Sequence, residues 1–283
     1  MIHVTFWGVR GSMPVTGKPF LRYGGNTSCI QIEFDNHTTV VIDAGTGIVN
    51  MGETHHPLGR PYYILFTHFH WDHIQGLPFF KPLFDMNQDI HLIADQPEGW
   101  ETQVMSQMSN THYPINIDLL KSKRVFHQLQ TLSCLKDRGI TIASCPGNHP
   151  GGVTLYRISY QGQVLCIASD NEVSEFTPKS TTHEALKRFF KDADLLIHDS
   201  QYRPEEMMEK TGWGHSEFQS VFALADAAHV GHLVLTHHDP KRTDREIDQI
   251  GRQIKKLGAQ QGTNMHVTCA AEGLTISLAP RGR

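Results

Sequence analysis

Short runs of β-branched, aromatic and aliphatic residues recur along the chain, and most close on Gly, Asp, His or Asn. They predict strands near 2–7, 28–34, 38–43, 61–67, 89–94, 124–129, 139–144, 152–159, 163–169, 194–198, 232–236, 265–269 and 273–278. Apolar residues at helical spacing predict helices near 74–80, 98–108, 182–191, 203–210, 216–229 and 243–257. Within 216–229, Phe218, Val221, Phe222 and Ala225 repeat at three and four, with Ser216 as the expected N-cap ahead of an acidic first turn. Both halves carry strands, with helices between them. Two such halves packed sheet on sheet, helices outside, give an α/β fold of the four-layer αβ/βα sandwich type. No Pro/Gly/Ser-rich linker divides the chain, so residues 1–283 read as one domain. The least regular stretch, 95–123, reads as an insertion over the surface and a candidate lid.

Composition adds bounds. The chain has 283 residues, 39% hydrophobic and 19% charged, enough for a sizeable core of ordinary globular kind. A net charge of −4 gives no bulk electrostatic grip on duplex DNA or an anionic membrane. No apolar run approaches the length of a membrane span. The chain opens on the strand-like "IHVTFWG" without a basic n-region and apolar h-region, so no signal peptide is expected. Cys29, Cys134, Cys145, Cys166 and Cys269 are odd in number, widely spaced and without a CxxC. That pattern fits reduced thiols and a cytoplasmic location. Cys166, inside an apolar strand, reads as a buried structural thiol.

The unusual feature is 19 histidines, because imidazole is the commonest side-chain metal ligand. Ligand-type residues follow four predicted strands: His68, His70, Asp72 and His73 in "THFHWDH", His149 in "SCPGNHPGG", Asp170 in "VLCIASDN", and His237 and His238 in "LVLTHHDP". A rigid element ending at each aims these side chains into a shared cleft. Residues two apart in an extended segment point the same way, so His68 and His70 can face one ion together. Asp72 and His73 lie where the chain turns, and crowding assigns them to a second ion. Asp170 can bridge both, with His149 completing the first shell and His237 the second. Imidazole and carboxylate ligands without thiolate suit two divalent ions, Zn²⁺ or Mn²⁺, with Fe also compatible. A single histidine at a strand end is more often a surface residue than a ligand. His37, His55, His56, His91, His112, His127, His183, His229, His232 and His266 are accordingly read as surface or core-edge residues. Only one of the adjacent His237 and His238 can normally point at the same ion.

With His149, Asp170 and His237 downstream of it, "THFHWDH" resembles the metallo-β-lactamase superfamily over most of the chain. The family implies the sandwich inferred above, and an Asp at the bridging position resembles its hydrolase branches. "FWGVRGSMPV", "RYGGNTSC", "IDAGTGI", "LIHDSQY", "GWGHSE" and "LVLTHHDP" are similar to small phosphodiesterases related to ribonuclease Z and the phosphoribosyl cyclic phosphate phosphodiesterases. That resemblance implies that His237 is a metal ligand, that His215 assists proton transfer at the scissile phosphate, and that Asp199 orients His215. Without it, "GHS" ahead of a helix is a polar loop. A homodimer is an expectation by analogy. One departure stands out. Ribonuclease Z of the common type carries a long tRNA-gripping arm between the third histidine motif and the bridging Asp. Here only residues 150–169 separate His149 from Asp170, reading as two strands joined by "YQGQ".

The expected activity is therefore metal-dependent hydrolysis of a small phosphodiester, a cyclic nucleotide or related cyclic phosphate, with tRNA disfavoured. Asp72 is expected to ligate and to act as base. Arg10, Ser12, Asn26, Thr27 and His238 are the expected substrate contacts, since "GVRGS" and "GGNTS" offer amides and hydroxyls to an anion. Tight turns needing Gly explain the same segments equally well. His112, Tyr113 and Trp100 are candidates to stack on a base or sugar. Two alternatives remain at this level: a metallo-hydrolase of another ester, lactone or thioester, and a metal-stabilised binding protein without turnover.

Overall fold

Each predicted β-run forms a strand in the computed structural model, which describes residues 1–54, 59–109, 113–114, 117–174, 177 and 180–279. The strands are β1 (Ile2–Gly8), β2 (Cys29–Phe34), β3 (Thr39–Ile42), β4 (Tyr62–Phe66), β5 (Asp89–Ala94), β6 (Lys123–Gln128), β7 (Thr141–Gly147), β8 (Val153–Tyr160), β9 (Gln163–Ala168), β10 (Leu195–Asp199), β11 (His232–Thr236), β12 (His266–Cys269) and β13 (Thr275–Leu278). The helices are α1 (Gly47–Thr54), α2 (Trp71–Ile74), α3 (Trp100–Met105), α4 (His183–Phe190), α5 (Met207–Lys210), α6 (Phe218–Ala227) and α7 (Asp244–Gln261).

A seven-stranded sheet runs β13-β1-β2-β3-β4-β5-β6 and a six-stranded sheet runs β12-β11-β10-β9-β8-β7. In the first, β1–β2 and β2–β3 pair antiparallel, and β3–β4, β4–β5 and β5–β6 pair parallel. From β7 to β12 the second repeats that succession: two antiparallel pairs, then three parallel ones. The two halves share one topology.

Three apolar clusters define the layers. The central one joins Val4, Ile32, Ile42 and Leu65 of the first sheet to Tyr156, Leu165, Ile197 and Val234 of the second. A second packs Val41, Ile64 and Phe66 against Ile48, Met51 and Trp100 of the helical layer. A third packs Cys166, Leu196 and Leu235 against Leu186, Phe222 and Ile254. Alternation sorts β4 between layers: Tyr63 and Leu65 face the central core, and Tyr62, Ile64 and Phe66 face the helices. A strand covered on both faces reads as a continuous apolar run, which is why "YYILF" shows no polar positions. This is the expected α/β four-layer sandwich.

Several local readings differ. Helix α1 was absent from the helical pattern because "GIVNMGET" begins on Gly and has Gly52 inside it. Burial of Ile48 and Met51 holds it, and a Cβ on Gly52 would come within 2.7 Å of the Phe80 ring. The segment expected as a helix at 74–80 ends as α2 at Ile74, and a 3₁₀ turn over Leu77–Phe79 follows, with Pro78 inside it. Ser216 is not the cap of α6. Glu217 accepts from the Gln219 and Ser220 amides, both at 2.6 Å, while the Ser216 hydroxyl donates to the Asn171 carbonyl at 2.5 Å. Within 95–123, Trp100 is 1% exposed and stacks on Phe69 with ring centroids 5.7 Å apart, so it packs the core rather than a ligand. Tyr113 meets Phe79 edge to face. His112, like His55 and His56, lies outside the described residues. Between His149 and Asp170 stands the β8–β9 hairpin, closed by Gln161 and Gly162 at φ +49° and +79°, the left-handed pair of a tight two-residue turn. Among the described residues, no helix is long and apolar enough to cross a membrane.

Helix α7 has a full capping box: the Thr243 hydroxyl accepts from the Glu246 amide, and the Glu246 carboxylate accepts from the Thr243 amide. Thr243→Ala should destabilise the fold by about 1 kcal/mol, read as a lower urea midpoint at constant slope. An unchanged midpoint would deny the cap its role.

Candidate metal centre

Ligand-type side chains gather where strands end. Asp43 follows β3, His68 to His73 follow β4, His149 follows β7, Asp170 follows β9, Asp199 closes β10 and His237 follows β11. The carboxyl ends of parallel strands form such a crevice in open α/β sheets. Asp43, Asp170 and His237 hold left-handed backbone angles, φ +61°, +48° and +58°. That conformation is costly for residues other than Gly, and it turns each chain sharply so that the side chain enters the crevice.

Donor atoms of Asp170, Asp199, His215 and His237 converge within 4.8 Å, and so do two further sets: His68, His70, His149 and Asp170, and Asp72, His73, Asp170 and His237. These are the two groups that the spacing argument separates. Asp170 divides its oxygens between them. Its Oδ2 lies 3.6 Å from His68 Nε2 and 3.7 Å from His149 Nε2, and its Oδ1 lies 3.1 Å from His73 Nε2 and 2.9 Å from His237 Nε2. Asp72 Oδ2 stands 3.4 Å from His73 Nε2 and 3.3 Å from His237 Nε2.

The outer nitrogens of His73, His68 and His149 are engaged elsewhere, which aims their inner ones. His73 Nδ1 lies 2.8 Å from Asp43 Oδ2, His68 Nδ1 lies 3.1 Å from the Thr67 hydroxyl, and His149 Nδ1 lies 2.9 Å from the Gly214 carbonyl. Thr67 donates to Asp43 in turn. Such outer contacts fix tautomer and ring direction in metal sites. Two glycines leave room for the rings. A Cβ on Gly11 would come within 2.4 Å of His237 Nδ1, and one on Gly214, at φ +85°, within 2.2 Å of His149 Nδ1.

The chemistry of this donor set fits divalent cations. His68 Nε2 and His73 Nε2 are buried without a hydrogen-bond partner. Burial opposes charge on His237, but Asp170, Asp72 and Asp199 outweigh it and push its pKa up to about 10. His73 is likewise raised against burial by Asp170, Asp72 and Asp43. Burial would raise the Asp170 carboxyl, yet His237 and His73 hold it well below the usual range. The pocket is a well for positive charge, lined by nitrogen and oxygen and free of thiolate.

Beside it, His215 Nδ1 lies 2.5 Å from Asp199 Oδ2, and the His215 ring stacks on His237 at 5.0 Å. Some positioning residues escaped the sequence reading. Asp43 sits in "IDAGTGI", and the same strand-then-ligand syntax could have found it. Glu172, fully buried, accepts from the Gly212 and Gly214 amides and so fixes the loop that carries His215. His198 Nε2 lies 3.1 Å from the Asn171 amide, whose oxygen accepts from the Asn148 amide at 2.9 Å, tying together the loops that bear Asp170 and His149. No sequence signal distinguishes these two from core polar residues.

Four of the expected substrate contacts are engaged within the fold. Arg10 is fully buried, and its guanidinium donates to the carbonyls of Gly24, Asp239 and Arg242. His238 Nε2 is bound to the Ala270 carbonyl, away from both donor sets. Asn26 gives its amide and its side chain to Glu272, and Thr27 exchanges hydrogen bonds with Thr46. The backbone amides of Val9, Arg10, Gly11, Gly24, Asn26 and Thr27 are already partnered within the fold. Ser12 alone stays at the rim, its amide donating to Asp72 Oδ2 at 2.7 Å. A cavity of about 190 Å³ opens beside the first donor set, lined by His68, Phe69, His70, Gln96, Gln103, Gly151 and Gly152.

Asp43→Asn keeps the shape but weakens the hold on His73. Metal affinity, read by competition with a chromogenic chelator, should fall about 10–100-fold. Unchanged affinity would remove Asp43 from the positioning shell.

Comparison with known proteins agrees with this geometry. A ribonuclease Z from Staphylococcus haemolyticus (strain JCSC1435) is 23% identical over 295 residues, covering 90% of this chain and 94% of that protein. The metallo-beta-lactamase fold protein YhfI from Bacillus subtilis superposes with a TM-score of 0.70 at 16% identity, over 97% of this chain and 98% of that one. A diphosphatase of the PhnP family superposes at 0.67 with 17% identity, over 99% of each chain. The profile of the beta-lactamase superfamily domain matches residues 38–238, most of the chain and all of the metal-type ligands. The chain therefore belongs to the beta-lactamase superfamily, as a metal-dependent hydrolase of the metallo-β-lactamase fold related to ribonuclease Z.

Proposed function

We propose that the chain hydrolyses small phosphodiesters, a cyclic nucleotide or related cyclic phosphate, with two divalent ions, Zn²⁺ or Mn²⁺. His68, His70 and His149 would hold one ion, Asp72, His73 and His237 the other, and Asp170 both. Such a pair supplies Lewis acidity to phosphate oxygens and acidifies water near neutral pH. The observation that carries the reading is the His215–Asp199 pair stacked against His237.

An alkoxide is a poor leaving group, so hydrolysis of a diester needs a proton on that side. With Nδ1 committed to Asp199, His215 presents Nε2, which can deliver that proton. Asp199 is held in turn by the Gln201 amide at 2.9 Å. Asp72, steadied by the Ser12 amide, is the base for the attacking water. Phe69, Gln96 and Gln103 border the cavity in which the rest of a small substrate would sit.

The relatives named ribonuclease Z make a tRNA precursor the second reading. The tight β8–β9 turn and the charge of −4 favour the small diester.

Asp72→Ala should abolish turnover of bis(p-nitrophenyl) phosphate, and His215→Ala should lower kcat on the order of 10²–10⁴-fold, both with an unchanged circular dichroism spectrum. Full activity in either would sink these roles. On a panel of cyclic mononucleotides, cyclic dinucleotides, phosphoribosyl cyclic phosphate and a tRNA precursor, a cyclic phosphate should give the highest kcat/KM. Preference for the tRNA precursor would overturn the substrate class.

A further inference from the structure

A further group of ligand-type side chains lies at the β6 edge of the first sheet and shares no residue with the hydrolytic centre. His91 comes from β5, His127 from β6, and Cys134 from the loop that follows the 3₁₀ turn Leu129–Thr131. One donor atom from each lies within 4.8 Å of the others. From the sequence alone both histidines read as surface or core-edge residues.

The rings are ordered by their neighbours. His91 stacks between Tyr63, at 4.7 Å, and His127, at 5.0 Å and 11° from parallel. His91 Nδ1 lies 2.8 Å from His127 Nε2. One ring must accept there through its lone pair, so at least one is a neutral imidazole with its ligand nitrogen turned inward. The cysteine loop is equally fixed: the Gly139 amide donates to Lys136, the Ile140 amide to Leu135, and Asn36 to the Arg138 carbonyl. Leu132 and Cys134 rest on the central core. All three candidate ligands are half-buried, held by packing yet reachable from solvent.

We infer that His91, His127 and Cys134 form a third metal site, selective for a borderline-soft ion such as Zn²⁺ and distinct from the hydrolytic pair. Imidazole and thiolate are both ordinary zinc ligands, and three protein ligands leave a fourth position to water; the same three donors also suit copper. Binding requires the donating ring to move its proton to its outer nitrogen and Cys134 to release one proton to solvent. The two facing nitrogens would part from 2.8 Å to about 3.3 Å, with the rings turning toward the ion, to reach tetrahedral Zn–N distances of about 2.0–2.1 Å. The ion would pin β5, β6 and the 132–138 loop together at the open edge of the sheet. The site shares no residue with the hydrolytic centre, so bis(p-nitrophenyl) phosphate turnover is independent of it.

Cobalt separates this site from the hydrolytic one, whose donor sets contain no sulfur among the described residues. The full chain, stripped and reconstituted with Co²⁺, should bind three equivalents and show a near-ultraviolet thiolate-to-cobalt charge-transfer band. Cys134→Ser should lose the band and one equivalent, and His127→Gln should lose one equivalent, both retaining bis(p-nitrophenyl) phosphate turnover. Two equivalents without the band, three without it, or a band that survives in Cys134→Ser would each overturn the inference.

Discussion

One buried carboxylate organises this protein. Asp170 is 2% exposed, sits in a left-handed backbone conformation, and gives one oxygen to each of two histidine pairs. Burying such a charge without partners is strongly unfavourable, so its presence demands compensating positive charge. The fold supplies the place for it. The parallel part of each sheet ends at the same crevice, and the two halves, equal in topology, contribute ligands from opposite sides. The first half brings His68, His70, Asp72 and His73, and the second brings His149, Asp170 and His237. The centre is complete only where the halves meet, so the central core between the sheets also sets the ligand distances.

Around that centre, a shell of positioning groups orients the ligand-type side chains. Asp43 and Thr67 orient His73 and His68, the Gly214 carbonyl orients His149, and Glu172 fixes the loop that holds both Gly214 and His215. Glu172 thus anchors one loop that touches His149 through the Gly214 carbonyl and also carries His215. The stack of His215 on His237 joins them again from the other side.

Much of this was legible in the chain. Strand runs and the "THFHWDH" spacing are local signals: period-two burial and residue type suffice to read them. The allocation of ligands to two groups followed from which neighbours can face the same way. Direction over long range was not legible. Arg10 and His238 have the chemistry of phosphate contacts, but their side chains turn inward to carbonyls from residues far away in the sequence. Trp100 looks like a stacking surface until Phe69 is seen against it. Helix α1 lacks propensity and exists through packing, and the cap of α6 shifted by one residue because Ser216 is drawn to Asn171. Glu172 and His198 act through partners that only the folded chain brings near.

The central claim is that Asp170 serves two ions at once. Crystals of the metal-loaded protein, with anomalous diffraction collected at the absorption edge of the bound metal, test it most directly. Two peaks at the hydrolytic centre are expected, each bonded to a different oxygen of Asp170, one with His68, His70 and His149 and the other with Asp72, His73 and His237. A single peak there, or two peaks with Asp170 touching only one, would contradict it.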